Sequence, residues 1–377
     1  MKHQISFLGG QLLPVYIGVK EYMPDKLHFI ASEESKEGMK VLKDLFKELK
    51  FSEFICDPFD FYAIKKRIES IIEKVDANDD VLINLTGGTK IMLLAAQSVI
   101  SDKMVNGFYI NQDYSLIEVP SYEKKQIVSE LSVKDFFGLS GHNAFTFKKL
   151  SDFTSSDFKV SNEIDSFAST NKLYSKVTGY IRNKYRNTTN QGYENVIISY
   201  DKSGKPVLSS IFVKWNSKVV EIIENKNRVA AFKTDNIDDL FFNAVWWELL
   251  VATEVAKWSK AKEVMLHCEL PFKTDDKSLK NEIDILLNTG NKLIFVECKS
   301  GNIKQEDINK MKVIKQTYGG IISKSLLVSR FMPSQSILEK CKELDIEVYY
   351  VYAFQRMTNP LKNIIKTLDK LEKKTSI

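Results

Sequence analysis

NEIDILLNTGNKLIFVECKSG, residues 281–301, decides how this chain is read. Two short apolar runs flank NTGN, a turn sequence, so the segment folds as a β-hairpin. With the turn centred on Thr289-Gly290, Leu287 faces Lys292, Asp284 faces Phe295 and Glu282 faces Glu297. Side chains alternate along a strand, so Glu282, Asp284, Glu297 and Lys299 leave the hairpin on one face. Asp284 and Glu297 are then diagonal neighbours, about 7–8 Å apart between backbones, and both carboxylates can reach one cation. Leu293–Val296 is apolar on both faces, which places the second strand inside a sheet. An acid and a lysine at the end of such a strand carry a large desolvation cost unless they are paired or metal-bound. A hard divalent cation on carboxylates and a main-chain carbonyl, with a lysine beside it, suits phosphodiester hydrolysis. The cation lowers the pKa of a bound water, and the lysine orients that water or stabilises developing negative charge. The plainer alternative is a hairpin edge with ordinary Glu–Lys cross-strand pairs, and the D-x(12)-E-x-K spacing does not exclude it.

Around the hairpin, a second core begins near Asn236. A helix carries Trp246, Trp247, Leu249, Leu250 and Val255 and leads to a strand at Val264–Cys268. After the hairpin come a helix over Gln305–Thr317 and strands at Ser325–Val328 and Glu347–Val351. Leu361, Ile364, Ile365, Leu368 and Leu371 line one face of a terminal stretch, the pattern of a docked amphipathic helix. The spacing predicts an α/β unit over 236–377. Residues 140–235, rich in Ser, Asn, Lys and aromatics, read as a connecting subdomain with a hairpin at Tyr200–Lys205.

Within an N-terminal domain over residues 1–139, the first ~120 residues alternate regularly. Short apolar runs at Gln4–Leu8, Leu27–Ala31, Glu53–Cys56, Val81–Leu85 and Gly107–Asn111 suit buried strands, with helical stretches at Glu33–Leu49, Phe61–Val75 and Lys90–Ile100 between them. That alternation implies a parallel, doubly wound, Rossmann-like sheet. Its strand ends converge on one carboxyl edge, where such folds bind ligands. Gly9-Gly10 and Gln11 end the first strand, Ser32 the second, and LTGGTK (85–90) leads from a strand into a helix. Glycines let backbone approach a ligand, and a helix N-terminus offers unpaired N–H groups to phosphate. GxxxxGK[ST] and GxGxxG are both absent, which disfavours a nucleoside triphosphate or dinucleotide. A tight turn with close helix–strand packing is the alternative for Gly87-Gly88.

Composition narrows the classes. The chain has 377 residues, 44% hydrophobic and 27% charged, and a net charge of +5, which permits a nucleic-acid partner without demanding one. Four scattered cysteines make no disulfide framework and no CxxC pair. The start lacks a secretory pattern and no apolar run nears the ~18 residues of a membrane span, so a soluble cytoplasmic protein is expected. His3, His28, His142 and His267 show no metal-ligand spacing and read as core or surface residues. IRNKYRN (181–187) interleaves Arg182, Lys184 and Arg186 with Tyr185, a pattern that could follow a single strand, though a solvated basic face is commoner.

The hairpin resembles the core of PD-(D/E)xK, restriction-endonuclease-like nucleases, in which an acid on one strand pairs with E-x-K on the next. The resemblance implies Asp284 and Glu297 as ligands of Mn²⁺ or Mg²⁺, the Cys298 carbonyl as a further ligand, and Lys299 as the catalytic lysine. Glu248, in AVWWELLV, matches the helix acid of that superfamily ahead of Glu254; the proline before the Asp is absent, Glu282-Ile283 standing there. FLGGQLLP and LTGGTK in turn resemble the ligand loops of CARF domains of type III CRISPR systems. On that resemblance Gly10, Gln11, Ser32, Thr86, Gly87, Gly88, Thr89 and Lys90 contact a cyclic oligoadenylate, with Tyr109 and Asn111 further candidates. Together the two resemblances imply a homodimeric CARF-domain nuclease of antiviral defence. It would be activated by cyclic tetra-adenylate ahead of hexa-adenylate and cleave single-stranded RNA or DNA or nick duplex. Two alternatives remain from the sequence: a ligand-sensing nucleic-acid-binding regulator without catalysis, and a constitutive DNA-repair nuclease.

Overall fold

The structure, a computed structural model, describes residues 1–111, 113–142, 145–170, 177, 191–271, 279–319, 323–353 and 356–373. The basic stretch 181–187 lies outside them.

In the N-terminal half, strands β1 (Lys2–Phe7), β2 (Lys26–Ala31), β3 (Lys50–Ile55), β4 (Asp80–Asn84) and β5 (Asn106–Ile110) are mutually parallel. Strands β6 (Ser115–Val119) and β7 (Lys124–Gln126) extend the sheet antiparallel, in the order β3-β2-β1-β4-β5-β6-β7. Helices α1 (Leu13–Tyr22) and α2 (Glu37–Leu45) bury Val15, Ile17, Met39 and Leu42 against one face. Helices α3 (Phe61–Ile72) and α4 (Lys90–Lys103) bury Ile64, Ile68, Ala95 and Val99 against the other. With both faces covered, the strands need apolar residues on both sides, which is why they read as continuous runs. The chain reverses direction across the sheet between β1 and β4, the position at which doubly wound sheets open a crevice. There the two Gly-rich loops touch: a Cβ on Gly9 would lie 3.1 Å from the Gly88 nitrogen.

The middle segment is not a free-standing unit. Helix α5 (Val133–Leu139) is followed by β8 (Thr146–Lys148), which joins the C-terminal sheet beside β13 (Glu263–Pro271). Helix α6 (Ser155–Thr170) then leads to an antiparallel meander of β9 (Gly192–Tyr200), β10 (Pro206–Asn216), β11 (Val219–Glu224) and β12 (Asn227–Lys233). The turn at Asp201–Gly204 forms the expected hairpin, Asp201 Oδ1 accepting from the Ser203 and Lys205 backbones. Val213, Trp215, Val220 and Phe232 share one core with Trp246, Leu266, Ile285 and Val296, so this small sheet closes the C-terminal core.

The C-terminal sheet runs β18-β17-β16-β15-β14-β13-β8. Its strands are β13 (Glu263–Pro271), β14 (Leu279–Asn288), β15 (Leu293–Lys299), β16 (Lys324–Phe331), β17 (Ile346–Ala353) and β18 (Arg356–Met357). Helices α7 (Val245–Val255) and α10 (Ile364–Lys373) lie on one face. Helices α8 (Gln305–Ile314) and α9 (Gln335–Glu343) bury Ile308, Met311 and Ile337 elsewhere on the sheet. The rest of the second face meets the N-terminal half directly. Ile283, Leu286, Leu293 and Phe295 belong to the cluster that holds Leu8, Val15, Phe136 and Phe137. Polar bonds tie the same seam: Leu131 N–H donates to the Gly290 carbonyl at 2.6 Å, and Asn288 Nδ2 donates to the Leu131 carbonyl at 2.7 Å. Among the described residues no helix is long and apolar enough to cross a membrane.

Candidate active site

The hairpin pairs Ile285 with Val296, Leu286 with Phe295, Leu287 with Ile294 and Asn288 with Leu293. Extended by one step, this register sets Asp284 opposite Glu297, not diagonal to it. The sequence-based register is off by two residues. The cause is the turn, whose central residues are Gly290-Asn291, with Gly290 at φ +88° and Thr289 N–H donating to the Lys292 carbonyl at 3.1 Å. A tight hairpin turn of this kind needs positive φ at its first central position, so the glycine takes it and the turn moves one residue along. A shift of two leaves side-chain parity unchanged, and Glu282, Asp284, Glu297 and Lys299 all line one cleft of about 890 Å³.

In that cleft Lys299 Nζ lies 2.7 Å from Glu297 Oε1 and 3.2 Å from Asp307 Oδ1. The Cys298 backbone N–H donates to Asp284 Oδ2 at 2.7 Å. Glu297 is buried, β15 being central to its sheet. Desolvation first, then the Glu297 charge, push the Asp284 carboxyl up to about 7. Glu248, on the first turn of α7, reaches the same cleft; burial and then the Asp284, Glu282 and Glu297 charges push its pKa well up. Glu254 pairs instead with Lys257 at 2.6 Å and does not line the cleft. The Cys298 thiol points into the apolar core, and burial raises its pKa.

His267 is a site residue that sequence reasoning assigned to core or surface. Its Nε2 lies 3.4 Å from Glu248 Oε2 and its Nδ1 3.4 Å from Glu282 Oε1. It reaches them from a left-handed backbone, φ +50°, where the pairing of β13 with β8 shifts register between Leu266 and Glu269. No glycine marks the irregularity, and the bulge depends on strands distant in sequence, so nothing local announces it.

The donor set fits a hard divalent cation. Four carboxylates (Glu248, Glu282, Asp284 and Glu297) crowd a cleft whose Lys299 is already engaged, and Glu248 Oε2 is buried without a hydrogen bond. Carboxylate and carbonyl oxygens are the ligands that Mg²⁺ and Mn²⁺ take. Among the described residues no three His, Cys, Asp or Glu side chains form a ready cage.

The proposed ligand-loop residues divide. Gly10, Gln11, Ser32, Gly88 and Thr89 line a second cleft of about 860 Å³. Thr86 and Gly87 do not line it. The Thr86 hydroxyl accepts from Ile110 N–H at 2.8 Å, and Gly87 packs so closely on β1 that a Cβ would fall 2.1 Å from the Phe7 carbonyl oxygen. Lys90 and Tyr109 are exposed outside this cleft, and the Asn111 backbone bonds the Ser115 carbonyl at the β5–β6 turn. Thr89 caps α4, its Oγ1 accepting from Met92 N–H at 3.2 Å.

A Rossmann-like domain with ligand-type loops, fused to a sheet that presents Asp284, Glu297 and Lys299 in one cleft, defines a sensor domain joined to a nuclease domain. Residues 4–136 match the Card1 CARF domain family and residues 235–367 the Card1-like endonuclease domain family. The two matches span more than half of the chain, which belongs to the Card1-like family of CARF-domain endonucleases. No curated protein sequence matches it. Among solved structures it is similar to Can2 from Sulfobacillus thermosulfidooxidans in complex with cyclic tetra-adenylate. That match has TM-score 0.73 and 17% identity, and covers 99% of this chain and 100% of that one. Protein VC1899 from Vibrio cholerae gives TM-score 0.73 and 15% identity over 99% of this chain and 98% of that one. A type III CRISPR defence DNA nuclease activated by cyclic oligoadenylate gives TM-score 0.56 and 13% identity over 98% of this chain and 51% of that one, so this chain spans about half of that longer protein. At these identities the likeness is one of fold.

Proposed function

We propose that the chain is a divalent-cation-dependent endonuclease, switched on by a cyclic oligoadenylate bound to its N-terminal domain, that degrades nucleic acid in type III CRISPR defence. The observation that carries this reading is Lys299 Nζ, 2.7 Å from Glu297 Oε1 on the strand opposite Asp284. Asp284, Glu297 and the Cys298 carbonyl would hold Mn²⁺ or Mg²⁺, with Glu248 as a further acid of the site. The bound cation would supply charge neutralisation and a water of lowered pKa. Lys299, held between two carboxylates, keeps its proton, because the Glu297 and Asp284 charges outweigh desolvation and raise its pKa. It therefore serves as a fixed positive charge beside the attacked phosphate, not as a base. Asp284, its carboxyl pushed up to about 7 by burial and then by the Glu297 charge, takes up or releases a proton near neutrality as the cation leaves or binds.

The Can2 fold, solved with cyclic tetra-adenylate, and the loop cleft at the β1–β4 reversal support that ligand ahead of the hexa-adenylate. A cyclic ligand of this size suits a site shared by two copies, so the active form is taken as a homodimer with Gly10, Gln11, Ser32, Gly88 and Thr89 at the ligand. The substrate is single-stranded RNA or DNA, or duplex DNA that the protein nicks. The deciding experiment incubates purified protein and Mn²⁺ with labelled single-stranded RNA, single-stranded DNA and supercoiled plasmid. Each is run with and without cyclic tetra-adenylate, with Glu297→Ala as blank. Cleavage by the wild type only in the presence of the activator is expected; cleavage by Glu297→Ala would remove the site assignment.

A further inference from the structure

The two clefts are joined by one helix. Asp307 is the third residue of α8, and each of its carboxylate oxygens has a partner. Oδ2 accepts from Lys304 N–H at 2.7 Å, tying the carboxylate back to the residue that precedes the helix, and Oδ1 lies 3.2 Å from Lys299 Nζ. Lys299 is therefore referenced to the start of α8 as well as to its own strand. The helix is pinned along its length by Ile308, Met311 and Ile314, all buried. It runs on into a wide turn, Lys315–Gly319, and residues 316–319 form one wall of the cleft whose other wall carries Gly10, Gln11, Ser32, Gly88 and Thr89.

That turn is packed on three sides. The Tyr318 ring, 1% exposed, stands 6.1 Å from Phe137 and 4.5 Å from His142, between centroids. Its hydroxyl accepts from Asn281 Nδ2 at 3.0 Å, on the strand that carries Asp284 three residues on. Gly319 has no room for a side chain: a Cβ would lie 2.4 Å from Phe295 Cε2, on the strand that carries Glu297. A ligand that presses on Gln316 or Thr317 moves a close-packed wall, and such walls shift as units instead of deforming.

We infer that Asp307 is a positioning residue for Lys299, and that α8 carries the occupancy of the N-terminal cleft to it. The relay rests on the activation reading proposed above; the positioning role of Asp307 rests on geometry alone. In substance, the ligand's contact with residues 316–319 fixes α8 along its axis. Asp307 then holds Lys299 at the phosphate, where a misplacement of about 1 Å costs on the order of a hundredfold in rate.

The test pairs one variant with one solution measurement on the full chain. Asp307→Asn keeps an acceptor for Lys304 N–H and removes the charge from Lys299. With Mn²⁺ and saturating cyclic tetra-adenylate, kcat falls by about ten- to a hundredfold with KM and melting temperature unchanged, and Asp307→Glu restores part of it. In metal-free protein, hydrogen exchange with and without cyclic tetra-adenylate shows slowed amides at 315–319 and in the first turn of α8. A wild-type kcat for Asp307→Asn overturns the positioning role. Calorimetric binding of cyclic tetra-adenylate with protection confined to 9–12 and 86–90 overturns the relay while leaving the activation reading intact. Absence of binding overturns that reading and the relay together, and the Asp307→Asn rate, measured without activator, then decides Asp307 by itself.

Discussion

The Cys298 backbone N–H donates to Asp284 Oδ2 at 2.7 Å, at the point where the β14–β15 ladder, last paired at Ile285–Val296, gives way to side chains. One strand thus fixes the carboxylate of its neighbour through the residue that stands between Glu297 and Lys299. The acid, the E-x-K pair and the cleft are locked to one another by main chain, the stiffest connection available to a catalytic group.

Asp284 is pushed up to about 7, burial first and Glu297 second, from the ordinary range of about 3.9. A carboxyl raised on folding contributes stability that is fully present below about pH 4 and is lost as pH rises through about 7. Asp284→Asn removes that loss while keeping an acceptor for Cys298 N–H. In chelator at pH 8 the variant melts several degrees above the wild type, and the gap narrows at pH 5; paired melts at the two pH values check this. Excess Mn²⁺ raises the wild type and leaves the variant where it was. A variant less stable than wild type at pH 8 would contradict the account.

His267 at φ +50° pays for its position with backbone strain of order 1 kcal/mol or more, which a glycine does not bear. His267→Gly is therefore expected to melt no lower than the wild type. It also removes the group that stands 3.4 Å from both Glu248 and Glu282 and positions them in the cleft, so cleavage falls at least tenfold. Undiminished cleavage in this variant would make His267 a bystander.

These contrasts mark what could be read beforehand. The shared face of Asp284, Glu297 and Lys299 was legible because parity survives a register error of two; the register was not, because it turns on which residue of the turn takes positive φ. The docking of the terminal helix was legible from Ile364, Leu368 and Leu371, all buried. Strand β7, fully exposed as Lys124–Gln126, has no apolar pattern to read, and β8 is too short to show one. Nothing local in the sequence points to His267 or Asp307, because a bulge and a helix start bring them to the site from outside the hairpin.

Two glycines separate ligand contact from loop architecture. Gly10 has open space around its Cα, whereas a Cβ on Gly87 would meet the Phe7 carbonyl oxygen at 2.1 Å. Gly87→Ala should destabilise the protein by roughly 1–3 kcal/mol. Gly10→Ala should stay within about 0.5 kcal/mol of wild type and weaken cyclic tetra-adenylate binding, as read by calorimetry. Unchanged affinity in Gly10→Ala would take the β1 loop out of the ligand site.

The seam between the halves is itself testable. Phe137, from the N-terminal half, is fully buried among Phe145, Tyr318 and the cluster that includes Leu286 and Phe295. Phe137→Ala removes roughly 3–5 kcal/mol of packing at that seam. If the shared core makes the halves one cooperative body, scanning calorimetry shows a single transition that moves down as a whole, and near-ultraviolet and cleavage-competence melts coincide. Two resolved transitions, with only one displaced by the substitution, would mean that the halves unfold separately. A seam that weak could not hold the turn at 315–319 against the N-terminal cleft, and α8 would have nothing firm to push from.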